Sequence, residues 1–237
     1  MPLILLIETS TSACSVALAQ GDAVLALQHL KEPRMQASLL VPLIQELLLG
    51  QQRTLNQCNA VAVSAGPGSY TGLRVGVSTA KGICFGCNIP LIAIDSLQII
   101  MQNAIDLMGA DPSLSKDTLI IPLMDARRME VYTATYSLSG EKLSATQAKV
   151  IDTASFADEL ARSTTIFAGD GAEKCRVTLA HPNARFIPLM PSAEGMRIAA
   201  CRAYQDKNFV DLAYFEPWYG KEYVAAAPTC KVLPGPR

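Results

Sequence analysis

Charge is what this chain of 237 residues has least of. Charged side chains make up 17% of it, against about a quarter in an ordinary soluble domain. Twenty Lys and Arg all but cancel 21 Asp and Glu. A protein that grips nucleic acid unaided carries a basic excess, so that role is excluded for the chain acting alone. Histidine is scarce as well. His29 and His181 are the two present, with no carboxylate at ligand spacing, so a His-x-x-x-His metal pair cannot be made. Neither belongs by position to a Ser/His or Cys/His dyad, and the usual general base is missing. No catalytic residue and no metal site are therefore expected. No apolar run approaches the roughly 20 residues of a membrane span. The opening Leu3-Ile4-Leu5-Leu6-Ile7 lacks the basic stretch and small-residue cleavage site of a signal peptide, and reads as a first strand.

What is present is apolar: half of the residues are hydrophobic, which excludes disorder. The seven cysteines are odd in number and scattered, unlike the even framework of a secreted scaffold, so a reducing cytoplasm is expected. One pair, Cys84-Phe85-Gly86-Cys87, has redox spacing. It falls where a helix ends, with Gly86, Asn88 and Pro90 as stop signals. The dipole there disfavours a thiolate, so packed cysteines are the better reading.

Leu3 to Glu8, Cys14 to Ala19 and Ala23 to Leu30 read as strands joined by tight turns, hence antiparallel hairpins. A helix follows, with Pro33 near its start and Gly50 as its stop. Then come a strand at Ala60 to Ala65, a helix to about Phe85, a strand at Leu91 to Ile94 and a helix at Ser96 to Met108 capped by Asp95 or Ser96. Strands separated by helices imply parallel crossovers. After a break at Gly109 to Ser113 the plan recurs. Strands are expected at Thr118 to Met124, Val131 to Tyr136, Thr165 to Ala168 and Arg185 to Leu189. Helices are expected at Phe156 to Arg162, Gly171 to Leu179 and Ser192 to Asp206, with Ser192 capping the last. The duplication suggests an α/β protein of two lobes, each a mixed sheet flanked by helices and facing a cleft, as in the actin, sugar-kinase and Hsp70 superfamily. The expected divisions are 1–108, 109–210 and 211–237, with the helix over 192–206 a candidate to pack back on the first lobe.

Gly66-Pro67-Gly68-Ser69-Tyr70-Thr71-Gly72 is the sharpest local signal. A strand emptying into a Gly-rich turn that opens a helix presents backbone N–H groups to an anion. Yet no lysine follows Gly72, and neither the dinucleotide nor the serine-elbow pattern fits. A plain tight turn and phosphate binding stand level. In the helix beyond, Gly72, Gly76 and Ala80 form a stripe of small residues. Each interior glycine costs about 1 kcal/mol relative to alanine, so the stripe demands a close neighbour. That neighbour is either the leucine-rich helix around Leu40, Leu43 and Leu47 or, with the two helices acting together, another subunit. The turns at Thr9-Ser10-Thr11, Asp125-Ala126-Arg127-Arg128 and Gly169-Asp170-Gly171 are either ordinary polar turns or counterparts of phosphate loops. Half of the aromatic residues fall between Tyr204 and Tyr223. Such a cluster reads as a segment docked on its own domain, ahead of a hot-spot patch for a partner.

Three stretches together closely resemble the TsaB (YeaZ) family. They are Ile7-Glu8-Thr9-Ser10-Thr11 with Ser15-Val16-Ala17-Leu18; Gly66 through Gly76 with Ala80-Lys81-Gly82; and Asp125-Ala126-Arg127 with Glu130-Val131-Tyr132. The chain departs from the family at Glu8, where an aspartate is usual, and in Glu216-Pro217-Trp218-Tyr219, which follows the terminal Pro-x-Tyr-Leu loosely. The resemblance implies an ASKHA fold and a non-catalytic, cytoplasmic subunit that binds and activates the catalytic paralogue TsaD, with the ATPase TsaE joining, in making threonylcarbamoyladenosine on tRNA. TsaD-like proteins carry a metal-binding His-x-x-x-His where this chain has Ser96-Leu97-Gln98-Ile99-Ile100-Met101, so older peptidase labels fail on the same residues. It further implies a homodimer when alone, tRNA contacted only through the complex, and no required cofactor, with room for ATP or ADP at a subunit interface or in a vestigial cleft. The expected partner face is Leu40, Leu43, Leu47, Gly72, Val75, Gly76, Thr79 and Ala80. Vestigial phosphate loops are expected at Thr9, Ser10, Thr11, Gly66, Gly68, Ser69, Asp125, Gly169 and Gly171. Gly76→Glu is expected to abolish TsaD binding and spare the fold. The rivals are an ATP-dependent small-molecule kinase of the same superfamily and, third, an M22-like metallopeptidase.

Overall fold

In a computed structural model of the chain, residues 1–30 and 35–220 are described. Pro33, Lys221, Tyr223 and the tail 228–237 lie outside them. Strands β1 (Leu3–Glu8), β2 (Ser15–Gln20) and β3 (Ala23–His29) form two successive hairpins. They are followed by α1 (Gln36–Gly50), β4 (Ala60–Ser64), α2 (Tyr70–Cys87), β5 (Leu91–Ile94) and α3 (Ser96–Met108). The strand order is β3-β2-β1-β4-β5, with β1, β4 and β5 parallel.

The second half repeats this. Its strands are β6 (Leu119–Asp125), β7 (Glu130–Thr133), the short β8 (Tyr136–Ser137), β9 (Gln147–Val150), β10 (Thr165–Ala168) and β11 (Ala184–Ile187). They order as β9-β7-β6-β10-β11, antiparallel then parallel, with β8 also pairing with β6. Position for position this is the topology of the first sheet. β9 has no counterpart in the pattern read from the sequence. Gln147-Ala148-Lys149-Val150 is a short, exposed to half-exposed edge strand whose burial does not follow its polar-apolar alternation.

Each sheet is covered on both faces, which is why β1 is buried at every position. Leu3, Leu5 and Ile7 pack with α1 and α2 residues such as Leu40, Leu47 and Val77. Ile4 and Leu6 pack on the opposite face with Ile99 of α3 and with Ala193, Met196 and Ala200. Those last residues belong to a 3-10 turn (Ala193–Met196) that runs into α6 (Arg197–Gln205). So the helix that ends the second repeat lies on the first sheet. Its expected cap does not form: Ser192 makes no side-chain capping bond, and its N–H donates instead to Asn103 Oδ1 (2.8 Å). α3 also serves the other lobe, where Leu97, Ile100, Met101 and Ala104 pack against Ile120, Met124 and Ile166. The far face of the second sheet is closed by α4 (Ala157–Arg162) and α5 (Ala172–Cys175), over Ile121, Leu123 and Phe167.

Candidate functional site

Four turns stand at the carboxyl ends of β1, β4, β6 and β10, where open α/β sheets place their ligand crevices. At the first, the Thr9-Ser10-Thr11 side chains are buried, so they do not line an open cleft. The Ser10 N–H donates to Glu8 Oε1 (2.5 Å) and the Thr9 N–H to Ser64 Oγ (3.2 Å). Glu8 is fully buried, and its Oε2 has no hydrogen-bond partner among the described residues. Loss of hydration drives its pKa from the ordinary 4.5 to about 7; hydrogen bonds from Ser10 and Ser64 pull the other way and lose.

The two glycines of the α2 stripe take this turn as their neighbour, while Ala80 joins the core shared with α1. A Cβ on Gly72 would collide with the Thr9 carbonyl, one on Gly76 with Thr9 Oγ1, and one on Gly68 with the Ser10 carbonyl. The Ser69 N–H donates to Ser10 O (2.6 Å), and Ser69 Oγ caps α2 by accepting from the Gly72 N–H (3.3 Å). Two of the backbone groups that could have cradled a phosphate, the Ser69 and Gly72 N–H, are thus engaged within the chain. The expectation for Gly76→Glu is corrected accordingly: a side chain there strikes β1's turn, so it breaks the fold before it can report on an interface.

In the second lobe, Lys174 Nζ gathers the turn after β6. It donates to Asp125 Oδ1 (2.5 Å), Arg128 O (2.9 Å) and Glu130 O (2.7 Å). Arg127 and Arg128 both have positive φ, at 70° and 49°, a conformation that only such over-determination holds for long side chains. Gly169 and Gly171 pack on the Leu123 carbonyl, and Asp170 Oδ1 accepts from the Asp125 N–H (3.0 Å). Burial raises the Asp170 carboxyl above its ordinary range. Asp125, though exposed, is occupied by Lys174.

The expected partner face divides into a floor and a surface. Leu40, Leu43, Leu47, Gly72, Gly76 and Ala80 are buried within the chain, while Val75 and Thr79 are half-buried. The outward residues are others. On α1, Val41, Gln45 and Leu49 form an exposed row at helical spacing, Leu49 being 78% exposed. With Ile83 of α2 and Leu55 they border a largely apolar groove of about 420 Å³. Phe85, 83% exposed, stands further along α2. Reasoning from the sequence missed Val41, Leu49, Ile83 and Phe85 as surface residues. The signal was available: Val41 and Leu49 each lie one position past a buried leucine, Leu40 and Leu48, where a solitary amphipathic helix would carry polar groups.

No cluster of three His, Cys, Asp or Glu among the described residues could hold a metal ion. In the Cys84–Cys87 pair, Cys84 is buried, its thiol donates to Pro90 O (3.5 Å), and burial pushes its pKa up to about 12. No helix among the described residues is long and apolar enough to cross a membrane.

Two mixed sheets of one topology, flanked by helices and sharing a helical layer, define an α/β protein built on a repeated unit. The family model described as "TsaD: tRNA N6-adenosine threonylcarbamoyltransferase" matches residues 33–227. The Escherichia coli protein named "tRNA threonylcarbamoyladenosine biosynthesis protein TsaB" is 31% identical over 98% of each chain. Its Haemophilus influenzae namesake is 37% identical over 54% of this chain and 51% of its own. The structure titled "YeaZ from Pseudomonas aeruginosa" superposes with a TM-score of 0.78 at 29% identity, covering 92% of this chain and all of that one. The chain belongs to this family, and within it to TsaB.

Proposed function

We propose that the chain is a non-catalytic subunit for threonylcarbamoyladenosine formation on tRNA, one that binds and activates a TsaD homologue through the face of α1 and α2. The observation that carries this is the apolar row of α1 set beside Ile83 of α2, an outward surface on the two helices whose inner faces already complete a core. Burial of such a groove by another protein favours association. Ile44 and Leu48 form its floor, Val75 and Thr79 continue the row of Ile83 along α2, and the buried Leu40, Leu43, Leu47, Gly72, Gly76 and Ala80 support the two helices from within. A second copy of the chain covers the same surface when TsaD is absent. A TsaE-type ATPase joins the assembly, tRNA is held by the assembly as a whole, and the subunit works in the cytoplasm.

The kinase reading finds less support, because Thr9, Ser10 and Thr11 are buried and Gly66 is covered by the Trp218 carbonyl. The test is Leu49→Asp together with Val41→Asp. Both positions are exposed, so far-UV circular dichroism and melting temperature should hold. Co-purification with the TsaD homologue should weaken by about 30-fold, as for hot-spot positions worth about 2 kcal/mol. Undiminished binding by both variants would remove this face from consideration.

A further inference from the structure

After α6 the chain stays on the first lobe, where the Val210 N–H donates to Leu91 O (3.0 Å). Residues 213–220 then run along the outer edge of α2 and over the gap between the lobes. Lys81 Nζ donates to Ala213 O (3.2 Å), and Arg74 Nε to the Tyr219 hydroxyl (3.3 Å). The Arg74 guanidinium lies 4.2 Å over the Tyr70 ring, which is itself 4.6 Å from the ring of Tyr219. The Trp218 N–H donates to Ala65 O (2.8 Å), just beyond β4, and the Trp218 carbonyl occupies the space a side chain on Gly66 would need. On the other lobe, the Trp218 indole meets Tyr132 of β7 edge-on at 6.0 Å. Gly220 lies so close to the Tyr132 ring that no Cβ would fit.

We propose that residues 213–220 are a latch across the lobes, pinned to α2, so that engagement of the outer edge of α2 decides whether the lobes are held together at this mouth. The pins are the reason. On the α2 side the pins themselves are polar and cation–π tips, set beside Phe215, which packs on the first core, and the buried Pro217; Trp218 is 46% exposed. Between it and α2 runs a groove of about 360 Å³, with Arg74, Ser78 and Lys81 on one wall and Phe215, Glu216 and Tyr219 on the other. Such exposed contacts belong to the least stable part of a structure and open locally. The apolar β-strand layers on either side of the gap do not. A partner that takes Arg74 and Lys81 for itself trades the pins for its own contacts and frees the latch. This last step rests on the partner face proposed above, extended across α2 from Val75 and Thr79 to Arg74 and Lys81.

Trp218 is the single tryptophan of the chain, so its emission reads the latch directly. In the full chain alone, Arg74→Ala with Lys81→Ala should shift Trp218 emission to the red and make it more easily quenched by acrylamide. Amide exchange of residues 213–220 and of β7 should quicken by about tenfold, with circular dichroism unchanged. Tyr132→Ala should do the same from the other lobe, and Tyr132→Phe, which keeps the ring, should behave as the native chain. Unchanged emission and exchange in the double variant would overturn the pinning to α2, whatever Tyr132→Ala does. Adding the TsaD homologue to the native chain should quicken exchange of 213–220. If it co-purifies and leaves that exchange unaltered, the coupling to partner docking is refuted. If it does not co-purify, the partner face fails, and the latch is judged by the double variant.

Discussion

Glu8 concentrates the chemistry of the first turn in one carboxyl. It is fully buried with a pKa of about 7 against an ordinary 4.5, so between these values the folded chain holds a proton that the unfolded chain releases. The unfolded state then binds fewer protons, and stability falls as pH rises from about 4.5 to about 7, levelling above. The displacement corresponds to about 3 kcal/mol at most. Glu8→Gln, which keeps the shape and removes the charge, should raise the urea midpoint at pH 8, leave it nearly unchanged at pH 4.5, and flatten the profile between. A variant as pH-dependent as the native chain would mean that Glu8 is solvated. None of this was legible in the sequence. Glu8 ends a run of apolar residues and could equally have faced water; it is the covering by Ser10, Ser64 and the loop above that dehydrates it.

Among elements, α2 shows how one residue type takes opposite signs. Gly72 and Gly76 are fitted against Thr9, whereas a Cβ on Gly82 would meet nothing within 4 Å. Gly76→Ala should therefore destabilise by several kcal/mol, because the obstacle is a packed side chain on a buried turn. Gly82→Ala should stabilise by about 0.5–1 kcal/mol, from helix propensity and the stiffer unfolded chain. Chemical denaturation of both variants checks the pair, and equal effects would mean that the stripe has no special neighbour. The glycine pattern announced a close approach correctly. It could not say what approached, because Thr9 lies on another element far away in the chain. Helix and strand spans were more legible. α3 runs from Ser96 to Met108 as its periodicity implies, and of the two expected caps, Asp95 and Ser96, it is Asp95 whose Oδ1 accepts from the Leu97 N–H (2.8 Å). Gly66 demanded a glycine for a reason no local pattern could disclose, since its obstacle is the Trp218 carbonyl.

At the scale of the molecule, the repeat of strand, turn, strand and helix made the two sheets legible, and the helix over 192–206 is read there as a candidate to return to the first lobe; what the pattern did not disclose is that α3 serves both sheets. α3 follows β5 in the first repeat and packs through Leu97, Ile100, Met101 and Ala104 into the second sheet. α6 follows the second repeat and packs Ala200 onto the first. The halves have exchanged helices, and a boundary drawn after residue 108 cuts through the core of both. Calorimetry should accordingly find one cooperative transition, with calorimetric and van't Hoff enthalpies in agreement. Two resolved transitions would show the halves to be separable. For a chain emerging from the ribosome, this exchange has a further meaning. The first sheet is synthesised early, yet the face that carries Ile4 and Leu6 is covered only in part, by Ile99 of α3, until Met196 and Ala200 follow. The hairpins must wait with that face incomplete, which makes the nascent first half a natural client of chaperones.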